Sequence, residues 1–120
     1  MKTIKTSDLT GAALDWAVAK CENYTATIKP AEVVYTHPDG TWHHNGNWKP
    51  STNWAQGGPI IDREKINLAK GRHTEWEARE LNDRGIVWFY HTGPTPLIAA
   101  MRCYVASKLG DTVEVPEELL

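Results

Sequence analysis

Cysteine, long apolar runs and any surplus of charge are scarce in this chain, and each shortage removes a class of protein. Two cysteines, Cys21 and Cys103, stand among 120 residues, too few for a disulfide framework and without the spacing of a metal site. Both fall in helical patterns and read as reduced structural thiols. No window approaches the roughly 18 consecutive apolar residues of a spanning helix. The opening MKTIKTSDLT lacks the apolar stretch of a signal peptide. The chain is therefore expected in the cytosol with no membrane partner, where the glycosylation-type triplet Asn23-Tyr24-Thr25 has no chemistry behind it. Lys and Arg number 13 against 15 Asp and Glu, whereas a duplex-binding domain of this size usually carries a basic excess. Long nucleic acids are thus disfavoured as a partner, although a local anion pocket needs only a few well-placed groups.

What is present is the composition of an ordinary globular domain, 41% hydrophobic and 23% charged, enough for one core and not for two. Residues 4–22 place Ser7 and Asp8 ahead of Leu9, Ala12, Ala13, Trp16, Ala17 and Lys20, the spacing of a capped helix with one apolar face. Gly11 weakens its first turn by about 1 kcal/mol relative to alanine. Residues 25–35 turn β-rich, and His37-Pro38-Asp39-Gly40 then separates Val33, Val34 and Tyr35 from Trp42, which predicts a hairpin. Glycine, proline and asparagine crowd residues 45–59, as in a long loop or a set of turns.

Ile60, Ile61, Ile66 and Leu68 suggest a helical turn begun at Pro59, followed by a strand. Residues 74–80 alternate Trp76 and Ala78 with Glu75, Glu77 and Arg79. A turn at Asn82-Asp83-Arg84-Gly85 leads into a second strand over 86–91. Gly93-Pro94-Thr95-Pro96 opens the last helix, with Thr95 as cap, Pro96 in the first position and Gly110 as stop. Leu97, Ile98, Met101, Tyr104, Val105 and Leu109 form its broad face, and Ala99, Cys103 and Ala106 a face of small side chains. In the tail, Val113 and Val115 alternate as in a short edge strand. Residues 1–120 therefore read as a single small α+β domain, with antiparallel hairpins packed against an N-terminal and a C-terminal helix.

Three stretches, 9–19 (LTGAALDWAVA), 48–61 (WKPSTNWAQGGPII) and 93–110 (GPTPLIAAMRCYVASKLG), are similar to the NinX family of tailed-phage and prophage proteins. Residues 67–84 match least. The resemblance implies a phage-encoded accessory protein acting in the host bacterial cytoplasm. It brings no catalytic residue and no cofactor with it.

Two features could serve a ligand. Gly57 and Gly58 would let backbone N–H groups approach an anion, with Pro59 and Ile60 beginning a short helix and Arg63 one turn on. The alternative is a tight turn with core isoleucines. The start of the last helix offers Thr95 and free amides, with Tyr90 and His91 upstream and Arg102 further along, although ordinary capping explains the same residues. Trp16, Trp76 and Trp88 belong to regular elements and are expected inside, whereas Trp42, Trp48 and Trp54 are freer to stack on a base. His43 and His44 point to opposite faces of a strand and make a poor metal pair. Glu75 and Glu77 with Arg79 read as a solvated charge ladder, and no nucleophile has an activating context. The expectation is a non-enzymatic protein without metal or cofactor that sequesters a small nucleotide-like ligand, such as a host immune signal, as a homo-oligomer. The alternative is an interaction module that inhibits or modifies a host enzyme.

Overall fold

In the computed structural model, which describes residues 1–29, 32–43, 47–72 and 75–120, the C-terminal helix α3 runs Pro96–Leu109. Thr95 Oγ1 accepts the Ile98 amide at 3.1 Å, and Pro96 occupies the first turn, where its missing N–H leaves nothing unsatisfied. Gly110 ends the helix at φ +92, a conformation that side chains with a Cβ resist. Leu97 to Met101 and Cys103 to Ala106 are all buried, because α3 is packed from several sides. It lies on the sheet β5 (Ile66–Lys70), β6 (Trp76–Leu81) and β7 (Val87–Gly93), and it also touches α1 (Gly11–Cys21) and α2 (Trp54–Glu64).

Residues 4–22 are not one helix, which corrects the first expectation. Lys2–Lys5 form strand β1, paired antiparallel with β8 (Thr112–Val115) so that Ile4 lies opposite Val113. Thr6 then donates its amide to Asp111 O at 2.8 Å and its hydroxyl to Gly110 O at 2.6 Å. That tie to the end of α3 holds the chain extended through Lys5. Ser7 and Asp8 fall in a 3₁₀ turn, and Thr10 takes the cap position of α1. Nor does α1 have a single apolar face: Ala13 to Ala19 are all buried, since α3, β2 and β8 surround it.

Strands β2 (Thr25–Lys29), β3 (Glu32–Thr36) and β4 (Trp42–His43) form a second antiparallel sheet. The expected turn joins β3 to β4: the His37 amide donates to Thr41 O at 2.7 Å, and Asp39 accepts from Thr41. The hairpin of β6 and β7 also forms as predicted, with Arg79 opposite Tyr90 and a bulge at Glu80/Leu81. One face, with Leu68 and Ala78, turns to α3, and the other carries Asn67, Glu77, Arg79 and Tyr90. Trp88 shares this outer face and is 67% exposed, contrary to the expectation that it packs inside; it belongs to an edge strand on the side away from α3. Trp16 is buried as expected, and Trp76 is half-buried.

The second correction is α2. Residues 45–59 were expected as loop and turns, yet helix begins at Trp54, five residues before Pro59, with Asn53 Oδ1 accepting the Ala55 amide at 2.9 Å. Pro59 lies inside the helix, at the cost of one backbone hydrogen bond. Lys65 closes it in the left-handed conformation at φ 54, and β5 follows, so the order of helix then strand over 60–68 stands. Asn45 and Gly46 lie outside the described residues, as does Thr74 at the start of the expected strand.

No helix among the described residues is long and apolar enough to cross a membrane. Both cysteines are free, and burial pushes each thiol up to about 12. Neither is expected to react with a chromogenic thiol reagent at about pH 8 until the protein unfolds. One fast-reacting equivalent in native buffer would contradict this.

Candidate functional site

The starts of α2 and α3 meet. Gly57 is the reason they can: a Cβ there would stand 2.5 Å from Pro50 O and 2.6 Å from Leu97 Cδ2, so only glycine lets α2 settle on the first turn of α3. Beside this contact is a recess of about 190 Å³ lined by Ser51, Thr52, Trp54, Thr95, Pro96 and Leu97. The two stretches singled out in the sequence therefore flank one hollow. Gly57 acts differently from the expected backbone cradle, because its amide donates to Asn53 O at 2.9 Å inside the helix. Gly58 is likewise helical, so both amides belong to the helix rather than to a loop facing a ligand.

Loop 48–52 is held down from behind. Trp48 Nε1 donates to Asp15 O at 2.9 Å, the Ser51 amide donates to Asp15 Oδ1 at 2.9 Å, and Gln56 Oε1 accepts the Lys49 amide at 2.7 Å. Burial raises the Asp15 carboxyl, with Ser51 and Lys49 partly offsetting it. The Ser51 hydroxyl lies near enough to favour that carboxylate but is not placed for a hydrogen bond of good geometry, and its oxygen is buried without a partner. In a residue only 1% exposed, that oxygen has no surface open to the recess and lies on the Asp15 side of the loop.

Trp54 forms the rim. It is 53% exposed, and beyond it a second recess of about 340 Å³ is lined by Trp54, Gly58, Ile61, Asp62, Lys65, Ile66 and Asn67. The indole thus stands between a small hydroxyl-lined hollow and a larger one with an apolar floor and charged edges.

The other candidate residues lie elsewhere or hold structure. Arg63 is committed to Glu22, with bonds of 3.0 and 2.7 Å to its two carboxylate oxygens, and to Glu64 at 2.9 Å. Burial alone would raise the Glu22 carboxyl, but hydrogen bonds from Arg63 and from Tyr104 hold it below its ordinary value. Arg102 donates to Leu9 O and Thr92 O and so fastens α3 to its neighbours. Ile60 is core and Pro59 an exposed helix residue. Tyr90 donates to Glu77 Oε1 at 2.9 Å on the outer face of the sheet, and His91, half-buried, has its imidazole pKa lowered by burial. Trp42 is exposed in β4.

Trp48, expected to be free for a ligand, is instead buried, with Tyr24 at 4.9 Å and His43 at 5.5 Å between ring centroids. Asp15 draws its indole N–H inward, which sequence spacing alone could not disclose. His44 lies outside the described residues, and no group of three or more metal-type ligands occurs among those described. Glu77 is engaged by Arg79 at 3.1 Å, as a charge ladder requires. Of the residues expected at a site, Trp54 and Thr95 line the small recess, Gly58 the larger one, and Gly57 sets the spacing between the helices. Ser51, Thr52, Ile61 and Lys65 were missed, although Ser51-Thr52-Asn53 ahead of Trp54 is a helix-start signature.

The family model for bacteriophage P22 NinX matches residues 5–108. The chain belongs to the NinX family. The matched NinX segment includes α1, both converging helix starts and the loop that carries Ser51, and it stops within the last turn of α3. No curated protein matches the chain.

Proposed function

We propose that this NinX-family chain is a phage accessory protein that binds a small phosphate-bearing aromatic ligand of the host, of the nucleotide class, and withholds it without turnover, blunting a host defence signal. The observation that carries this reading is the recess between the two helix starts, with Thr52 and Thr95 in its lining and the exposed Trp54 ring at its rim. Helix starts favour anions through their oriented amides, and Thr52 and Thr95 belong to the same lining. The small recess suits a phosphate group, while the larger hollow across Trp54 suits a base. Together they fall within the ~300–1,000 Å³ of small-molecule sites.

Stacking on Trp54 is worth roughly 1–3 kcal/mol. Isothermal titration with cyclic dinucleotides and ADP-ribose derivatives, at protein concentrations of tens of micromolar, is expected to give one binding member. Trp54→Ala should weaken its affinity by roughly tenfold or more, while Trp42→Ala leaves it unchanged. Silence across the whole panel, or indifference of a binding member to Trp54→Ala, sinks the proposal.

A further inference from the structure

The larger hollow beyond Trp54 has three polar side chains at its edge, Asp62, Lys65 and Asn67, all exposed. Among the described residues none of the three has a side-chain hydrogen bond or ion pair. Asp62 is also poorly placed for its charge. It stands in the last turn of α2, where the partial negative charge of a helix end disfavours a carboxylate. Glu64 meets the same field but is engaged by Arg63 at 2.9 Å and by Lys108 at 3.5 Å. The Asp62 carboxylate therefore borders the hollow as an uncompensated acceptor. The indole of Trp54 reaches toward it: a Cβ at Gly58 would stand 4.0 Å from Trp54 Cε3, so the ring lies beside Gly58, one helical turn from Asp62. A planar group stacked on that ring presents its edge to the carboxylate.

Resting on the nucleotide reading above, we propose that this hollow selects guanine, with Asp62 as the specificity-determining residue. An ionised carboxylate only accepts hydrogen bonds. Guanine offers it two adjacent donors, N1–H and the exocyclic amino group, which match the two carboxylate oxygens in parallel, as charge-assisted bidentate pairs do. Adenine sets its N1 lone pair, and cytosine its N3 lone pair, beside a single amino group. Uracil flanks its one N–H with two carbonyls. Each of these bases places an acceptor against the Asp62 oxygens and leaves one of them without a donor. At its other edge guanine accepts, through O6 and N7, and the hollow meets that edge with the Lys65 ammonium and the Asn67 amide, both able to donate. The donors and acceptors of the hollow thus complement one base and conflict with the other three.

Calorimetric titration of the full chain with guanosine, inosine and adenosine monophosphates (GMP, IMP and AMP) tests the assignment. GMP is expected to bind roughly tenfold or more tightly than AMP, with IMP between them because it keeps N1–H and lacks the exocyclic amino group. Asp62→Asn exchanges one acceptor oxygen for an amide nitrogen that donates. It should weaken GMP by roughly tenfold, erase the advantage of GMP over IMP and leave AMP bound at least as tightly as before. A change that merely loosened the fold would weaken all three alike, and the thermal midpoint of Asp62→Asn should not fall, since its carboxylate has no partner to lose. AMP binding as tightly as GMP, or a GMP to AMP ratio untouched by Asp62→Asn, overturns guanine selection; if that binding still falls with Trp54→Ala, the nucleotide reading survives. Silence of all three monophosphates while a cyclic dinucleotide or ADP-ribose derivative binds overturns guanine selection alone, and silence throughout overturns both.

Discussion

Gly57→Ala is expected to destabilise the fold by about 2–4 kcal/mol, lowering the thermal midpoint by roughly 10 °C. The added methyl meets Pro50 O at 2.5 Å, a backbone atom in a loop fastened to Asp15 by the Trp48 indole and the Ser51 amide. Leu97 Cδ2 at 2.6 Å could rotate, but the carbonyl cannot retreat without pulling on that loop. The helices must therefore separate, and the recess beside Thr95 should open as they do. Gly58→Ala is the contrasting case. Outside its two chain neighbours its Cβ finds no atom nearer than Trp54 Cε3 at 4.0 Å, and the gain in helix propensity is offset by the crowding of an alanine ahead of Pro59, so the net change should stay within about 1 kcal/mol. Thermal unfolding of the two variants side by side decides the matter; equal behaviour would mean that Gly57 does not set the spacing of α2 and α3.

Glu22→Ala should cost about 2–3 kcal/mol at neutral pH. Glu22 follows the end of α1, Arg63 lies on α2 and Tyr104 on α3, and the carboxylate accepts from both at 2.6 to 3.0 Å. Half of the Arg63 side chain is exposed, so water screens the ion pair, and much of the loss comes from the Tyr104 hydroxyl left without its acceptor. The pH dependence has a definite sign. The folded-state pKa of Glu22 lies below its ordinary value, so the stabilisation is complete above the ordinary glutamate range and fades as pH falls through the lowered folded value. Urea unfolding should show the gap between the wild-type chain and Glu22→Ala narrowing as the solution is acidified through that interval. A gap of constant size would place the effect in packing rather than in the carboxylate.

How much of this was legible in the sequence depends on the range of the forces involved. Thr95 and Pro96 with Gly110, the Asp39-Gly40 turn and the Asn82–Gly85 turn act within a few residues, so their chemistry was readable and each formed where expected. The α2 helix was missed because proline and two glycines lower intrinsic propensity, while the compensation comes from distant parts of the chain: Pro50 and Leu97 leave room for nothing larger than glycine at position 57. Trp48 and Trp88 were exchanged for a related reason. One is drawn inside by the carbonyl of Asp15, and the other is left outside because the face of the sheet opposite α3 has no covering layer among the described residues. Side-chain type alone does not distinguish them.

The sequence by itself determined an α+β chain with a capped final helix, a confident hairpin over β6 and β7 and membership in the NinX family, since local propensity and long motifs suffice for these. Only the tertiary structure decided that the starts of α2 and α3 share a recess, that Ser51 leaves a buried hydroxyl beside it and that Arg63 is spent on Glu22. The physical reason is that each depends on contacts between residues tens of positions apart, which become definite only once the backbone has closed around α3.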